Sequence, residues 1–422
     1  MRFAGLWRHA DFMRLWTAQT VSQFGSQITQ LGLPLTAALV LGASPAQMGV
    51  LGAAEFAPFL LFGLIAGVWV DRLPRRPILV WADLGRALLL ATIPAGAYLG
   101  LLRIEQLYVV GFLAGVLTVF FDVAYMAYLP SLVARDRMVE GNSKLELGRS
   151  AAQIAGPGVA GGLIQLLTAP IAILLDSLSF LFSAACLFGI RRAGPPPEPR
   201  AAAGSVWQQI GEGLAVVLKS RLLRPIALCT GTSNLFGNML FAVFILFVTR
   251  ELGIDAGTLG LLFTVGAVGG MAAAAAAGRL AGAIGVGPTI VGAILVGGLG
   301  NLLVPLFAGP GWVGLGVLAL SGFAGGVGNV VYNITQVSLR QAITPHRLQG
   351  RMNASMRFVV WGTIPIGSLI GGFLGEQIGL RPTMLVGGLG GLLAGLWVFF
   401  SPVRSLREQP ESVVEPAAPV TA

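Results

Sequence analysis

Three carboxylates stand inside long apolar runs of the chain: Glu55, Asp122 and Asp176. An ionised carboxylate in hydrocarbon costs about 2.5 to 3.5 kcal/mol on insertion scales, so such groups are paired or do work. The chemistry open to an acid held there is to take up and release a proton. A second set of residues is built from amides. Gln19, Gln23, Gln27 and Gln30 recur every three or four positions, with Ser22 and Ser26 beside them. That spacing places them on one helix face. Asn329, Asn333 and Gln336, with Tyr332 next to them, repeat the pattern, and Asn234 and Asn238 stand four apart. Amides facing lipid are unfavourable, so these faces turn inward. Each is either a wall of a wet cavity or glue between helices, at about 0.6 kcal/mol per hydrogen bond. Convergence from three segments favours the cavity. Other chemistries lack their residues. His9 and His346, with Cys186 and Cys229, are all the histidines and cysteines of the chain. They make no metal-ligand spacing, no Ser/His/Asp set and no disulfide framework. A phosphate-cradling Gly-rich loop is absent too. The expectation is no enzyme, no catalytic residue, no cofactor and no metal.

The elements that must hold these groups follow from composition. The chain has 422 residues, 55% hydrophobic and 11% charged, with a mean hydropathy of +0.80. A soluble domain carries about 25% charged residues, and a disordered chain is polar and charge-rich; both are excluded. Crossing a bilayer takes about 20 apolar residues as a helix. Twelve such stretches stand at 14–41, 46–70, 77–100, 105–133, 143–167, 170–190, 223–249, 257–281, 287–308, 312–338, 353–375 and 380–401. The predicted fold is therefore an all-α membrane protein with twelve transmembrane helices. The first stretch is too long for a cleaved leader and stays as an anchor. With both termini inside, only Arg103, Arg250 and Arg381 fall in or beside outer connections. That asymmetry follows the positive-inside rule. It also accounts for the net charge of +9 through anionic lipid rather than nucleic acid. The abundance of Arg, Ala and Gly suits a GC-rich bacterium, hence a multi-pass protein of the bacterial plasma (inner) membrane with cytoplasmic termini.

Between residues 191 and 222 the run Ala193-Gly194-Pro195-Pro196-Pro197-Glu198-Pro199 forbids helix. Trp207, Ile210, Leu214, Val217 and Leu218 then recur at helical spacing, as in an amphipathic helix on a membrane surface. The chain divides into a six-helix bundle (1–190), a cytoplasmic linker (191–222), a second six-helix bundle (223–402) and a disordered tail (403–422). The halves repeat: Gly67 and Pro77 return 211 residues later as Gly278 and Pro288. Arg137-Met138 returns as Arg347-Leu348, and Gly161-Gly162 as Gly371-Gly372. An even number of spans per half makes this a parallel, pseudo-symmetric repeat. Small residues four apart, such as Gly266, Gly270, Ala274 and Gly278, permit close helix contact.

Between spans 2 and 3 the sequence is Gly67-Val-Trp-Val-Asp71-Arg72-Leu-Pro74-Arg75-Arg76. It resembles the signature loop of the major facilitator superfamily, with Pro74 where that pattern often has Gly. Gly156-Pro157-Gly158-Val159-Ala160-Gly161-Gly162 in span 5 is similar to the superfamily's antiporter motif, with one extra residue before the Gly pair. Asp176-Ser-Leu-Ser-Phe180 and Arg14-Leu-Trp16 with Gln19-Thr-Val-Ser22 resemble the bacterial branch that contains macrolide efflux proteins and the enterobactin exporter. The resemblance implies spans 1, 4, 7 and 10 around a central cavity. Gln19, Gln23, Gln27, Asn234, Asn238, Asn329, Tyr332, Asn333 and Gln336 would belong to it. It makes Asp122, on span 4, the first proton-carrying candidate and Glu55 the second. A rival role for Asp122 is membership of a network with Asp71 and Arg72. Asp176 is expected to make a fixed hydrogen bond. Gly67 would allow close helix approach, and Asp71 would meet the start of span 11 near Gly350-Arg351-Met352. Arg72, Arg75 and Arg76 would pair with inner-end carboxylates, or serve only as topology markers. Gly156, Pro157, Gly161 and Gly162 form either a seal against proton leak or an ordinary bend. The function implied is export of a lipophilic or amphiphilic small molecule by proton antiport. Import or facilitated passage through the same fold is the alternative, and a non-transporting receptor a third. Expected partners are the substrate, protons and membrane lipid, with no nucleic acid, in a monomer.

Overall fold

In this computed structural model the described residues are 5–70, 72–191 and 206–408. They form helices and connecting turns, with no strand among them. The first half holds α1 (Ala10–Leu35), α2 (Pro45–Val70), α3 (Arg75–Tyr98), α4 (Ile104–Leu132), α5 (Met138–Leu167) and α6 (Ala169–Phe188). A linker helix, α7 (Val206–Lys219), leads to α8 (Leu223–Leu246), α9 (Ala256–Ile284), α10 (Val286–Phe307), α11 (Trp312–Ile343), α12 (His346–Ile378) and α13 (Leu380–Leu393). After a turn α13 continues as α14 (Leu396–Phe399), and the two together make one crossing. In lipid each backbone group must be satisfied within its own segment, which is why apolar runs this long are helices. Ten of the described crossings are apolar enough to span by composition alone. The other two, α1 and α5, carry the glutamine row and the charged start Glu140, Lys144, Glu146 and Arg149. These polar residues lower the hydropathy average of both helices.

Two six-helix bundles result. In the first, α1 packs on α5 and α6, α3 on α4 and α6, and α2 on α4. In the second, α8 packs on α12 and α13, α10 on α11 and α13, and α9 on α11. Each of these contacts of one bundle thus has its counterpart in the other. The bundles meet through α2 with α12 and through α5 with α9, a pair that the pseudo-symmetry exchanges. The register of this repeat is visible at backbone level. Gly49 faces Gly372, and Gly161 faces Gly260; a Cβ at Gly161 or Gly49 would stand 2.8 Å from the facing Cα. Gly49 and Gly260 are 211 residues apart, as are Gly161 and Gly372. The turn of π-helix at Thr36–Val40 returns at Phe247–Glu251 with the same spacing. Gly161 therefore corresponds to Gly372, one residue on from the Gly371 suggested by sequence pairing.

Apolar packing distinguishes the two ends. At the end away from the termini one core cluster draws on both bundles, from Leu31, Leu35 and Ile164 to Phe247, Leu252 and Leu259. Toward the end carrying the termini the core separates into a first-bundle cluster around Phe12, Leu79 and Tyr128. A second-bundle cluster lies around Ile226, Ile290 and Met356. Arg250 ties the far end by donating from Nη2 to the carbonyls of Ala38 (3.2 Å) and Ala43 (2.8 Å). The Ala46 N–H, also in the first bundle, donates to Glu376 Oε2 at 3.3 Å. The molecule is closed at the far end and parted at the termini end.

Two boundaries differ from expectation. The linker helix does not lie free: Val217 is fully buried, and α7 packs on α12 and α8. The disordered tail expected from residue 403 begins later. Pro402–Ser405 forms a 3-10 turn, Val403 is buried, and the Leu406 carbonyl accepts from the Gly287 N–H at 2.8 Å. Those contacts cap the exposed start of α10. Residues 409–422 lie outside the described part of the chain.

Candidate transport site

Two adjoining chambers lie where the bundles meet. The larger, of about 720 Å³, reaches into the second bundle; the smaller, of about 380 Å³, reaches into the first. Gln30, Phe241 and Ile245 line both. The larger chamber takes amides from three helices: Gln27 and Gln30 from α1, Asn301 from α10 and Asn329 from α11. Phe241 of α8 and Phe263 of α9 supply aromatic wall. No ionisable acid or base other than the Tyr332 phenol is among its described lining residues.

Charge sits in the smaller chamber, where Glu55, Arg86 and Asp176 share the wall. Arg86 is buried and paired with Asp83, whose side chain is fully enclosed. Its guanidinium lies between two rings, 4.1 Å from the centre of Phe180 and 4.4 Å from that of Phe121. Asp176 is 1% exposed. It accepts from the Thr29 hydroxyl and, at 2.9 Å, from that of Ser179. Gly25 is required here, because a Cβ would overlap both Asp176 and Ser179. Glu55 rests with its Cγ against the open side of Gly111, and its carboxylate makes no hydrogen bond or ion pair among those found for the described residues. Asp122 is half-buried on α4, within electrostatic reach of Arg86 and of Arg357 on α12.

The residues expected at the cavity divide as follows. Gln27, Asn329 and Tyr332 line the larger chamber, and Asn238 the smaller. Tyr332 shares a 2.6 Å hydrogen bond with the Thr230 hydroxyl. Asn238 donates to the Asn234 carbonyl at 2.8 Å, and Asn333 donates to Asn329 Oδ1 at 3.1 Å. Gln19, Gln23, Asn234, Asn333 and Gln336 stand outside the described linings of both chambers. Gln336 is 2% exposed. Its Oε1, like that of Gln19, is buried without a hydrogen-bond partner. In register, Gln23 and Gln27 correspond to Asn234 and Asn238, so the amide rows of α1 and α8 are repeats of each other.

The loop motif behaves differently from its expectation. Arg75 donates to the Ala127 carbonyl at 2.9 Å, and Arg76 to the carbonyls of Leu187 (3.2 Å) and Phe188. Arg76 caps the C-terminus of α6, where cations are favoured, and Arg75 meets a backbone carbonyl within α4, instead of either pairing with a carboxylate. Arg72 is exposed, with no ion pair among the described residues. A Cβ at Gly67 would meet nothing within 4 Å, so close approach is not its role here. Asp71 lies outside the described residues, as does the side chain of Arg351. On α5, Gly156 accommodates the Gln27 side chain, Gly161 meets Gly260, and Gly162 has open space. Pro157 lines the larger chamber.

Arg86, which the sequence did not single out, is the twelfth of the 24 residues of α3, near the centre of the helix. Asn301 was also missed, although one amide in the apolar α10 is a visible signal.

Two pseudo-symmetric six-helix bundles around a polar chamber open at one end are the architecture of a membrane transport protein, not of an enzyme. The chain belongs to the transmembrane secretion effector family of the major facilitator superfamily, which it matches over residues 2–420. It is 27% identical to the multidrug efflux pump Tap of Mycolicibacterium fortuitum, over 90% of this chain and 92% of that protein. It is 24% identical to macrolide efflux protein A of Streptococcus pyogenes, over 53% of this chain and 55% of that one. In fold it is similar to a bacterial homologue of the iron transporter ferroportin in an inward-facing state. The TM-score is 0.75 at 19% identity, over 94% of this chain and 99% of the other.

Proposed function

We propose that this transporter exports a lipophilic or amphiphilic small molecule from the bacterial cytoplasm in exchange for protons. It acts as a monomer in the inner membrane, with both termini cytoplasmic, so that the chambers open inward. The observation that carries the reading is the pairing of two unlike compartments. An amide- and aromatic-lined chamber without fixed charge adjoins one that holds the Glu55 carboxylate and Arg86. The first suits an uncharged or amphiphilic molecule, the second a proton. The named functions of Tap and of macrolide efflux protein A support export, and the Arg distribution supports the orientation. Asp122 and Glu55 carry the proton, and Asp71 with Arg72 latches the inner face in the opposite state.

The test is dye flux in proteoliposomes with an imposed pH gradient, using the neutral fluorophore N-phenyl-1-naphthylamine. Expected is movement against the dye gradient, lost in Glu55→Gln or Asp122→Asn while the folded yield is unchanged. Normal uphill export by both single variants and their double would overturn the proton assignment. Flux along the proton gradient would make the protein an importer, and flux indifferent to the gradient a facilitator.

A further inference from the structure

The repeat register allows the two bundles to be compared position by position at mid-membrane. In the first bundle Arg86 fills the centre, stacked between Phe121 and Phe180. The corresponding positions 211 residues on are Gly297, Tyr332 and Gly391. One ring is kept, while the guanidinium and the second ring are deleted. All three positions line the 720 Å³ chamber. That chamber enters the second bundle through the volume that the first bundle fills with its own side chains.

Packing does not account for these glycines. A Cβ at Gly391 would meet nothing within 4 Å, and one at Gly297 only the Gly328 Cα, at 3.8 Å. Glycines of the bundle contacts behave oppositely, as at Gly161. A glycine in a helix interior is unfavourable relative to alanine. Here its effect is to leave a void, in a size range ordinary for a ligand pocket. Asn301 faces the void with its side-chain amide in no hydrogen bond among those found for the described residues. Burying a charge there would leave it without a counter-charge.

We propose that this arm of the chamber, between Gly297, Gly391, Tyr332 and Asn301, is the binding subsite for an uncharged ring system of the substrate. The ring takes the place that Arg86 and Phe180 occupy in the first bundle, and Asn301 donates to or accepts from a polar substituent on it. The inference rests on the transport reading and deepens it.

Equilibrium binding of N-phenyl-1-naphthylamine to the purified protein tests it without any flux. The protein is expected to bind the dye, and Gly297→Leu and Gly391→Phe are each expected to weaken binding at least ten-fold. Gly292→Leu, on the same helix, also has open space but is outside the chamber lining, and should bind as the parent does. Unchanged affinity in both filled variants overturns the subsite, as does tighter binding of the tetraphenylphosphonium cation than of the neutral dye by the parent. Should the filled variants fail to fold, Gly391→Cys serves. Peptide-resolved alkylation at position 391 is expected to slow at least five-fold with saturating dye, and an unprotected thiol overturns the proposal. Direction and proton coupling are read by flux alone, so dye bound normally by a protein that does not export in a pH gradient would sink the transport reading and leave the subsite standing.

Discussion

A buried ion pair is worth little for stability when intact and much when half of it is removed. Asp83 and Arg86 are such a pair, and each also has one polar atom, Oδ2 and Nε, without a hydrogen bond. Arg86→Ala would leave the enclosed Asp83 carboxylate uncompensated and empty the space between Phe121 and Phe180. The expected loss is about 3 to 5 kcal/mol, seen as a fall in thermal midpoint of the purified protein. Asp83→Asn with Arg86→Met should recover most of it, because neither variant leaves a lone charge. If Arg86→Ala melts with the parent, the pair has no structural role. Sequence could place Glu55 and Asp122 inside spans, because an acid in an apolar run is conspicuous by itself. It could not place Arg86, since two rings from other helices make that site habitable. Phe121 lies on α4 and Phe180 on α6, and no local pattern on α3 refers to them.

Elements here are held by backbone contact as much as by side chains. The α5–α9 and α2–α12 contacts at the far end each turn on a pair of facing glycines, Gly161 with Gly260 and Gly49 with Gly372. Gly161→Val would force these helices apart only at that end. Expected is a protein that folds but no longer seals the far end, with at least a ten-fold rise in labelling of Leu35→Cys, a position fully buried in the shared core, by an impermeant thiol reagent. Labelling at the parent level would show that the helices tolerate the side chain. Capping provides a smaller test. Asp255 accepts from the Thr258 N–H at 2.9 Å at the start of α9, which holds its carboxyl below the ordinary range. Such a group stabilises above its unfolded value and ceases to as pH falls through its folded one. Asp255→Ala should therefore cost about 1 kcal/mol near pH 7, and the difference in thermal midpoint should close below about pH 4. The repeat was legible because Gly and Pro mark positions that backbone geometry fixes. Its one-residue slip at Gly161 was not, since consecutive glycines offer two registers and only the partner helix chooses between them.

At the scale of the molecule the pseudo-symmetry is structural but not chemical. Glu55, Arg86, Asp122 and Asp176 of the first bundle correspond to Gly266, Gly297, Asn333 and Gly387 of the second. At these positions the first bundle carries charged side chains and the second carries glycines and an amide. Coupling them requires that the halves move as bodies, and the packing agrees, with separate cores at one end and a shared core at the other. Reversing the opening must dissolve what joins the far end, including the two hydrogen bonds from Arg250 to Ala38 and Ala43. Arg250 reaches from the second bundle to backbone of the first, and both acceptors lie between α1 and α2. Arg250→Ala keeps both bundles intact and removes only this tie, so it should shift the population toward far-end opening rather than unfold the protein. Spin labels at the pseudo-equivalent exposed positions Leu101 and Trp312 report the far-end width. Arg250→Ala is expected to add or enlarge a long-distance component by at least two-fold over the parent, with an unchanged thermal midpoint. An identical distance distribution would mean that apolar contact, the glycine pairs and the Ala46–Glu376 hydrogen bond set the closed state without Arg250.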